Sequence, residues 1–193
     1  MENGNSKDGL RGLSRWRVSL SELRSTRAVA FCGVMCALGV VLNFTTTVNF
    51  GPHLRVGFSG LPNQAVDFLL GPAAGVIFAS AMDVIKYLLR PDGVFFPGYT
   101  FSAALAAAIY GTLLYRRPPS LFRVVLSHFL VKTVVNLGFN TFWHSILLGK
   151  AMMVMLPPRV LANALSLPVD AALTYFMVKL LSKTVLEKFR NAE

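Results

Sequence analysis

Charged residues are scarce in this sequence, and acidic residues are the scarcest of them. Of its 193 residues, 15% are charged and 54% are hydrophobic, and 9 acidic residues stand against 19 basic ones. A soluble domain usually carries about 25% charged residues, so this chain has too few to cover a water-facing surface. Together with a mean hydropathy of +0.55, this scarcity predicts an all-α integral membrane protein.

The groups that several enzyme classes need are also missing. The chain has three histidines, His53, His128 and His144, and they follow no metal-ligand spacing. It has no P-loop and no G-x-S-x-G motif, and its two cysteines, Cys32 and Cys36, lie one helical turn apart in an apolar run. We therefore expect no metal, no cofactor and no ATP hydrolysis by the chain itself. An intramembrane enzyme is the least supported function.

Basic residues give the chain a net charge of +10, but they are spread over the ends of the apolar segments. A nucleic-acid-binding surface would gather them in one patch, whereas flanking positions are typical of a protein oriented in a membrane. We therefore predict contact with the lipid bilayer and no nucleic-acid partner. The flanking residues are Lys7, Arg11, Arg15, Arg17, Arg24 and Arg27 near the N-terminus, Arg116, Arg117 and Arg123 in mid-chain, and Lys179, Lys183, Lys188 and Arg190 near the C-terminus.

Six apolar segments, bounded mostly by proline and glycine, predict a bundle of six transmembrane helices. An even number of spans places both termini on one side, and the basic residues assign that side to the cytoplasm of a cell (plasma) membrane protein. We expect residues 1–26 to form a basic cytoplasmic tail and residues 27–190 to form the membrane domain. The predicted helices cover about Ala28–Val48, Phe58–Leu70, Ala73–Leu89, Tyr99–Tyr115, Leu121–Leu148 and Arg159–Leu186.

Polar residues inside these segments are candidates for function, because they are costly in a membrane. Asp83 and Lys86 are three residues apart and can share one face of the third helix. They could be a buried ion pair that holds the bundle together, or a ligand-facing pair near the outer mouth. Both alternatives stay open.

A second set of polar residues follows helical spacing on the fifth segment. Asn136, Asn140, Trp143 and His144 recur at i, i+4, i+7 and i+8, which places them on one face. The alternative role, hydrogen bonding between helices, contributes only about 0.6 kcal/mol per contact on average. Because Trp143 adds a stacking surface beside amide groups, the pattern favours the wall of a pocket for a planar, hydrogen-bonding ligand.

The predicted external loops carry aromatic and basic residues. The stretch "FFPGYTFSAALAAAIYG" predicts a break at Pro97–Gly98, where Phe96 and Tyr99 would form part of a lid over the pocket, followed by a closely packed helix of small residues. The planar guanidinium of arginine matches a carboxylate, although a loop arginine could equally contact water or headgroups. The basic residues at these external positions are Arg55, Lys150 and Arg159.

Four blocks of sequence, in chain order, resemble one known family. They read "LRVGFSGLP", "LLGPAAGVIFASAMDVIKYLLRPDGVFFPGYTFSAALAAAIYG", "NTFWHSILLGKA" and "LPPRVLANALSLPVD". Together they resemble the folate-family substrate-binding subunit, or S component, of energy-coupling factor (ECF) vitamin transporters. The resemblance covers about Ala28 to Lys183. The second helix, with Asn63, Gln64 and Asp67, is more polar than is usual in that family.

The resemblance implies a six-helix membrane fold and a vitamin site near the outer surface, roofed by the loops after helices 1, 3 and 5. It also implies a transmembrane coupling subunit and two cytoplasmic ATPase subunits as partners, with delivery by toppling of the S component in the membrane. Family members dock on the coupling subunit through small residues of helix 1, and Gly33 and Ala37 match that position.

From the residues and the resemblance together we expect a non-catalytic subunit that binds folate. Aromatic residues would stack on its flat rings, while polar residues would recognise the pterin and basic residues the glutamate. An S component for another vitamin or planar heterocycle and an autonomous secondary transporter are the alternatives. The expected substrate-binding residues are Phe96, Tyr99 and Trp143 for stacking, Asn140 and Asp83 for the pterin edge, and Arg55 and Arg159, with Lys150, for the carboxylates. Lys86, beside Asp83, is expected in the same site.

Overall fold

The computed structural model of the chain describes residues 16–45, 48–50, 54–56, 58–89, 91, 95–149 and 151–184. Most of these residues are helical, and the helices are joined by short turns. The strands among them form one antiparallel hairpin, in which Asn49 pairs with Arg55. The elements are α1 (residues 16–22), α2 (Thr26–Thr45), β1 (Val48–Phe50), β2 (Leu54–Val56), α3 (Leu61–Leu70), α4 (Pro72–Leu89), α5 (Pro97–Leu114), α6 (Leu121–Leu130), a π-helical segment (Val131–Phe139), α7 (Asn140–Leu148) and α8 (Met152–Thr184).

Four helices in the described part of the chain are long and apolar enough to cross a membrane: α2, α4, the continuous helix made by α6, the π segment and α7, and α8. Residues such as Val34, Leu38 and Phe44 on α2 are exposed, as expected for side chains that face lipid. With 10 residues, α3 is too short to span a bilayer alone, since a span needs about 20. Apart from the hairpin, the described elements are helices, and the fold is of a membrane type.

The core forms where the short helix α3 is enclosed by the longer ones. Seven of the ten residues of α3 are buried, and the helix packs against α2, α4, α5 and α8. Helices α4 and α5 approach closely at Gly111, where a Cβ atom would meet the backbone of Pro72. The main apolar cluster consists of Phe68, Tyr110, Leu114, Val124, Val131, Val135, Ala171 and Val178.

Proline marks the helix boundaries differently from the sequence prediction. Pro97 and Gly98 do not break the chain between two helices but form the first turn of α5, because proline is tolerated where the first N–H groups have no helical partner. Pro157 and Pro158 lie inside α8, which begins at Met152, so the prediction of a helix starting at Arg159 was wrong. The predicted first helix also extended too far, since Val48 lies in β1.

The two ends of the bundle differ in what covers them. At one end, Ser19 of α1 donates to the carbonyl of Leu70 (2.6 Å) and accepts from the N–H of Ala74 (3.1 Å). At the same end Tyr115 donates to Glu22 (2.7 Å), and burial together with this hydrogen bond raises the pKa of Tyr115. We call this the α1 end. The other, which carries β1, β2, the start of α5 and the α7–α8 connection, we call the hairpin end.

Candidate functional site

Two facing rows of polar side chains run along the interior of the bundle. One row comes from α6, the π segment and α7, and the other from α8. We call the two rows the polar ladder; its members are His128, Lys132, Asn136, Asn140, Thr141 and His144 on the first side and Arg159, Asn163, Ser166, Asp170 and Thr174 on the second.

The π segment keeps the first row directed at α8. Residues four apart drift around an α-helix because a turn takes 3.6 residues, and the wider π turn reduces this drift. The N–H of Asn140 bonds the carbonyl of Val135, five residues earlier, and Thr141 Oγ1 donates to the carbonyl of Asn136 at 3.1 Å. π-Helical turns are rare and often occur at functional sites.

The ladder begins near the α1 end with a buried hydrogen-bonded network. His128 Nδ1 lies 3.0 Å from Tyr110 Oη, and His128 Nε2 lies 2.9 Å from Thr174 Oγ1. Thr174 Oγ1 in turn donates to Gln64 Oε1 at 2.6 Å. These four residues come from α3, α5, α6 and α8, so the network ties four helices together at the level of the core.

The next rung is charged. Lys132 Nζ donates to Asp170 Oδ2 at 2.8 Å and to Ser166 Oγ at 2.6 Å. The side chain of Lys132 is 9% exposed and that of Asp170 is 31% exposed. Because charges inside a membrane protein persist only when they are paired or functional, this ion pair is both a structural contact and a candidate ligand group.

Amides form the middle rungs. Asn136 donates to Asn163 Oδ1 and accepts from Asn140 Nδ2, both at 3.2 Å. Asn140 Oδ1 is buried and has no hydrogen-bond partner among the described residues. An unpaired buried oxygen is unfavourable, so it offers an acceptor to a ligand. Arg159 closes this part of the ladder by donating to Thr141 Oγ1 at 3.3 Å.

A cavity of about 130 Å³ opens beside the inner rungs. Its walls combine apolar side chains, which suit the faces of a flat ring, with amide, carboxylate and ammonium groups, which suit a ring edge. We call it the ladder cavity. It is lined by Phe58, Gly60, Leu61, Gln64, Tyr110, His128, Lys132, Asn136, Asp170, Leu173 and Thr174.

An aromatic cluster lies toward the hairpin end, where α5 begins and α7 runs. The ring centroids of Phe96 and Trp143 are 5.3 Å apart, and Tyr99 Oη is hydrogen-bonded to His144 Nδ1. Trp143 Nε1 donates to Ser102 Oγ at 3.2 Å. A Cβ atom at Gly98 would collide with the rings of Phe96 and Trp143, so glycine lets the start of α5 approach both rings.

The structure brings some of the sequence-predicted site residues together and separates others. Phe96, Tyr99 and Trp143 are in one cluster, and Asn140 and Arg159 belong to the adjoining ladder. Asp83 instead accepts from Thr100 at 2.7 Å, between α4 and α5, and Lys86 donates to the carbonyl of Ser59 at 3.4 Å.

Some predicted residues lie partly or wholly outside the described residues. Arg55 is placed in β2 by its backbone, but its side chain is not among the described ones, and Lys150 is outside altogether. On α2, Gly33 and Ala37 are exposed, and a Cβ atom at Gly33 would meet no atom of the described residues within 4 Å. None of the described residues therefore covers this small-residue face at Gly33.

Two polar residues of α3 face different parts of the bundle: Gln64 faces the ladder cavity and Asp67 faces α4. Gln64 lines the ladder cavity and bonds Thr174. Asp67 is buried, and Gly75 of α4 lies so close that a Cβ atom there would overlap its carboxylate. Neither carboxylate oxygen of Asp67 has a hydrogen-bond partner within the described residues.

Sequence reasoning missed Lys132 and the role of His128. Both continue the i+4 spacing of Asn136 and Asn140 toward the N-terminus, and this was the signal that could have found them. The second row of the polar ladder, on α8, also has helical spacing. Pro168 lies within that row, and a proline in a sequence usually predicts the end of a helix, so the spacing was not recognised.

The chain is similar to known folate transporters. It is 30% identical over 161 residues to the folate transporter FolT of Clostridium novyi, and the aligned region covers 83% of this chain and 93% of that protein. It is 28% identical over 160 residues to the folate transporter FolT of Leuconostoc mesenteroides, covering 79% of this chain and 85% of that one. No protein-family model matches the chain.

The fold is also similar to a solved structure, described as the crystal structure of FolT bound with folic acid. The TM-score is 0.73 at 28% sequence identity, and the match covers 80% of this chain and 94% of that one.

Proposed function

Because the chain belongs to the family of the folate transporter FolT, we propose that it is a membrane-embedded S component that binds folate inside its helical bundle. The observation that carries the proposal is the position of the aromatic cluster directly beside the polar ladder, in a chain of this family. A flat ligand with hydrogen-bonding edges and a charged tail needs both kinds of surface in one site.

The chemistry of folate fits this arrangement part by part. The rings of Trp143 and Phe96 are in contact, with centroids 5.3 Å apart, and together form an aromatic surface on which a ring of the ligand can stack. Arg159 is half-buried and donates to a neutral hydroxyl, that of Thr141, so its guanidinium is available to a carboxylate of the glutamate. Arg55 on β2 is proposed as a second carboxylate ligand.

Asp83 and Lys86 are proposed to shape the site's margin. Asp83 accepts a hydrogen bond from Thr100 of α5, and Lys86 donates one to the backbone carbonyl of Ser59, just before α3. The first contact fixes α5, which carries part of the aromatic cluster, and the second fixes the segment beside Phe58 and Gly60, which line the ladder cavity. Tyr99, bonded to His144, is proposed as part of a lid at the hairpin end.

We propose that the hairpin end faces outward and that the bundle crosses the plasma membrane six times with both termini in the cytoplasm. The basic residues near the α1 end, including Arg116, Arg117 and Arg123, support this orientation by the positive-inside rule. Four helices long enough to span support the membrane assignment. Helix α5, which at 18 residues is as long as α4, and the short helix α3 would complete the crossing within the bundle.

We propose that the chain works with a transmembrane coupling subunit and two ATPase subunits, and that it delivers folate by toppling against them. The exposed face of α2 with Gly33 and Ala37 supports a docking role, since small residues let helices approach closely. Uptake of folate by cells should then stop when the ATPase subunits are deleted. Persistent uptake would support an autonomous secondary transporter.

The binding proposal is tested with purified protein in detergent and tritiated folate. We expect Trp143→Ala and Arg55→Ala to weaken binding about tenfold or more, and Phe176→Ala, which removes an exposed aromatic of α8, to leave it unchanged. Unchanged affinity in both site variants would refute the role assignments. A thermal-shift screen of other vitamins distinguishes an S component of different specificity, because a tight ligand stabilises the fold by mass action.

A further inference from the structure

We propose that the outward side of α1 is a binding surface for anionic phospholipids of the membrane. We call it the α1 face, and its exposed residues are Arg17, Leu20, Ser21 and Arg24. The two guanidinium groups contact lipid phosphates, and Leu20 lies at the boundary between the headgroups and the acyl chains. The α1 face lies outside the proposed folate site, so the proposal does not depend on which ligand the bundle binds.

Helix α1 is fastened to the bundle, and this gives the α1 face a fixed direction. Ser19 is fully buried and links the carbonyl of Leu70, at the end of α3, to the N–H of Ala74, in the first turn of α4. Such terminal backbone groups have no partner within their own helix. A Cβ atom at Gly71 would lie 3.0 Å from Ser19 Oγ, so glycine makes room for the contact. A basic tail that only orients the protein in the membrane needs no such attachment.

The charge at the α1 face is positive and is not neutralised by the protein. Among residues 16–27, Glu22 is the one acidic residue, against the three arginines Arg17, Arg24 and Arg27. Glu22 is already paired with Arg116 at 2.9 Å, and it also accepts from Tyr115. Neither Arg17 nor Arg24 forms an ion pair with another residue that the structure describes. The α1 face is therefore complementary to the negative charge of lipid phosphates.

The residues of α1 are divided between a side that faces the bundle and a side that faces away. Residues three apart share one side of a helix. Ser19 and Glu22 contact the bundle, and Leu23, just after the helix, packs against the apolar cluster formed by α2, α3 and α4. Arg17 and Leu20, also three apart, are exposed, and Leu20 is 50% exposed. An apolar residue between two arginines suits the membrane interface better than bulk water.

Trp16 can report which lipids lie next to the α1 face, because it is one helical turn before Leu20. Trp143→Phe leaves Trp16 as the sole tryptophan of the chain, and bromine on an acyl chain quenches tryptophan fluorescence only at short range. This full-length parent protein is placed in nanodiscs that mix phosphatidylcholine and phosphatidylglycerol, with bromine on one lipid or on the other. The ratio of the two quenching values gives the enrichment of the anionic lipid beside α1. Both leaflets have the same composition, so the ratio does not depend on the orientation of the protein.

We expect phosphatidylglycerol to be enriched beside Trp16 in the parent protein, and less so as salt rises to about 1 M. A basic residue near an anionic surface contributes about fivefold, so Arg17→Gln with Arg24→Gln should lower the enrichment about five- to twenty-fivefold. Lys179→Gln with Lys183→Gln is the matched control, since it removes as many charges from exposed positions of α8 near the same end. It should change the enrichment by less than about twofold.

Leu20→Ser gives a second readout that changes no charge. It should reduce the quenching by both brominated lipids and leave their ratio unchanged, because Leu20 supplies the apolar contact and the arginines supply the selectivity. All the substituted side chains are exposed, so each variant should keep the Tm of the parent. An enrichment that the arginine variant leaves unchanged, or that the α8 control lowers as much, would overturn the proposal. No enrichment in the parent protein would also overturn it and would favour an acidic protein surface as the partner of α1.

Discussion

The Lys132–Asp170 pair gives the sharpest prediction about stability. Lys132→Met removes one partner and leaves Asp170 without its cation inside the bundle. Breaking a buried pair this way usually costs about 3–5 kcal/mol. Because the side chain of Asp170 is 31% exposed, part of that cost is relieved by solvent, and we expect a loss of about 2–3 kcal/mol.

The double variant, Lys132→Met with Asp170→Leu, should lose less. Replacing a buried ion pair by apolar residues of similar size is often neutral, and the hydrogen bond that Ser166 loses is worth only about 0.6 kcal/mol in a membrane bundle. The single variant should thus be the less stable of the two, although it changes fewer residues.

Thermal unfolding in detergent measures the difference. For a chain of this length, about 1 kcal/mol corresponds to roughly 2–4 °C in Tm, so Lys132→Met should lower Tm by about 4–12 °C and the double variant by clearly less. Lys179→Met changes a lysine that is exposed and lies over the ring of Tyr175, and it should shift Tm little. Equal Tm values for the single and double variants would refute the reasoning that an unpaired charge is the cost.

Three other substitutions test the packing and the site. Gly111→Val should destabilise the fold by about 1–3 kcal/mol through overpacking, and so lower Tm by roughly 2–12 °C, because the added atoms meet the backbone of Pro72; a normal Tm would contradict that close approach. Gly98→Ala should weaken folate binding while changing Tm little, since its Cβ displaces the ring of Trp143, and unchanged affinity would argue against a role for the cluster in binding. Ser19→Ala removes two hydrogen bonds worth about 1–3 kcal/mol together, so amide hydrogen exchange should accelerate in residues 16–22, and equal protection would show that α1 is held by other contacts.

The sequence was most informative about features that depend on neighbouring residues, namely the length of an apolar segment and the spacing of residues along one helix. The predicted helix over Leu121–Leu148 matches the continuous helix of the structure, and the family membership implied by the quoted blocks is confirmed by the 30% identity to FolT. The row of Asn136 and Asn140 was found because residues four apart share a helix face. Trp143 and Phe96, which were expected to belong to one site, are in contact.

Other features depend on long-range contacts that spacing does not reveal. The partner of Lys132 is Asp170, 38 positions later, and only the packing of two helices decides that pairing. The prolines of α8 suggested a break at Pro157–Pro158, yet the helix continues through both. The contact of Ser19 with Leu70 joins residues 51 positions apart. A short helix such as α1, with seven described residues, has too few periods to be predicted.

Folate that binds beside Trp143 inside the bundle should change the fluorescence of that residue. The chain has 2 tryptophans, so Trp16→Phe leaves Trp143 as the sole tryptophan, and selective excitation of tryptophan then reports on Trp143. Titration of this variant with folic acid, corrected for ligand absorption with free tryptophan, should show saturable quenching at one ligand per protein. Saturable binding of tritiated folate to the same sample with no change in the emission of Trp143 would contradict the account.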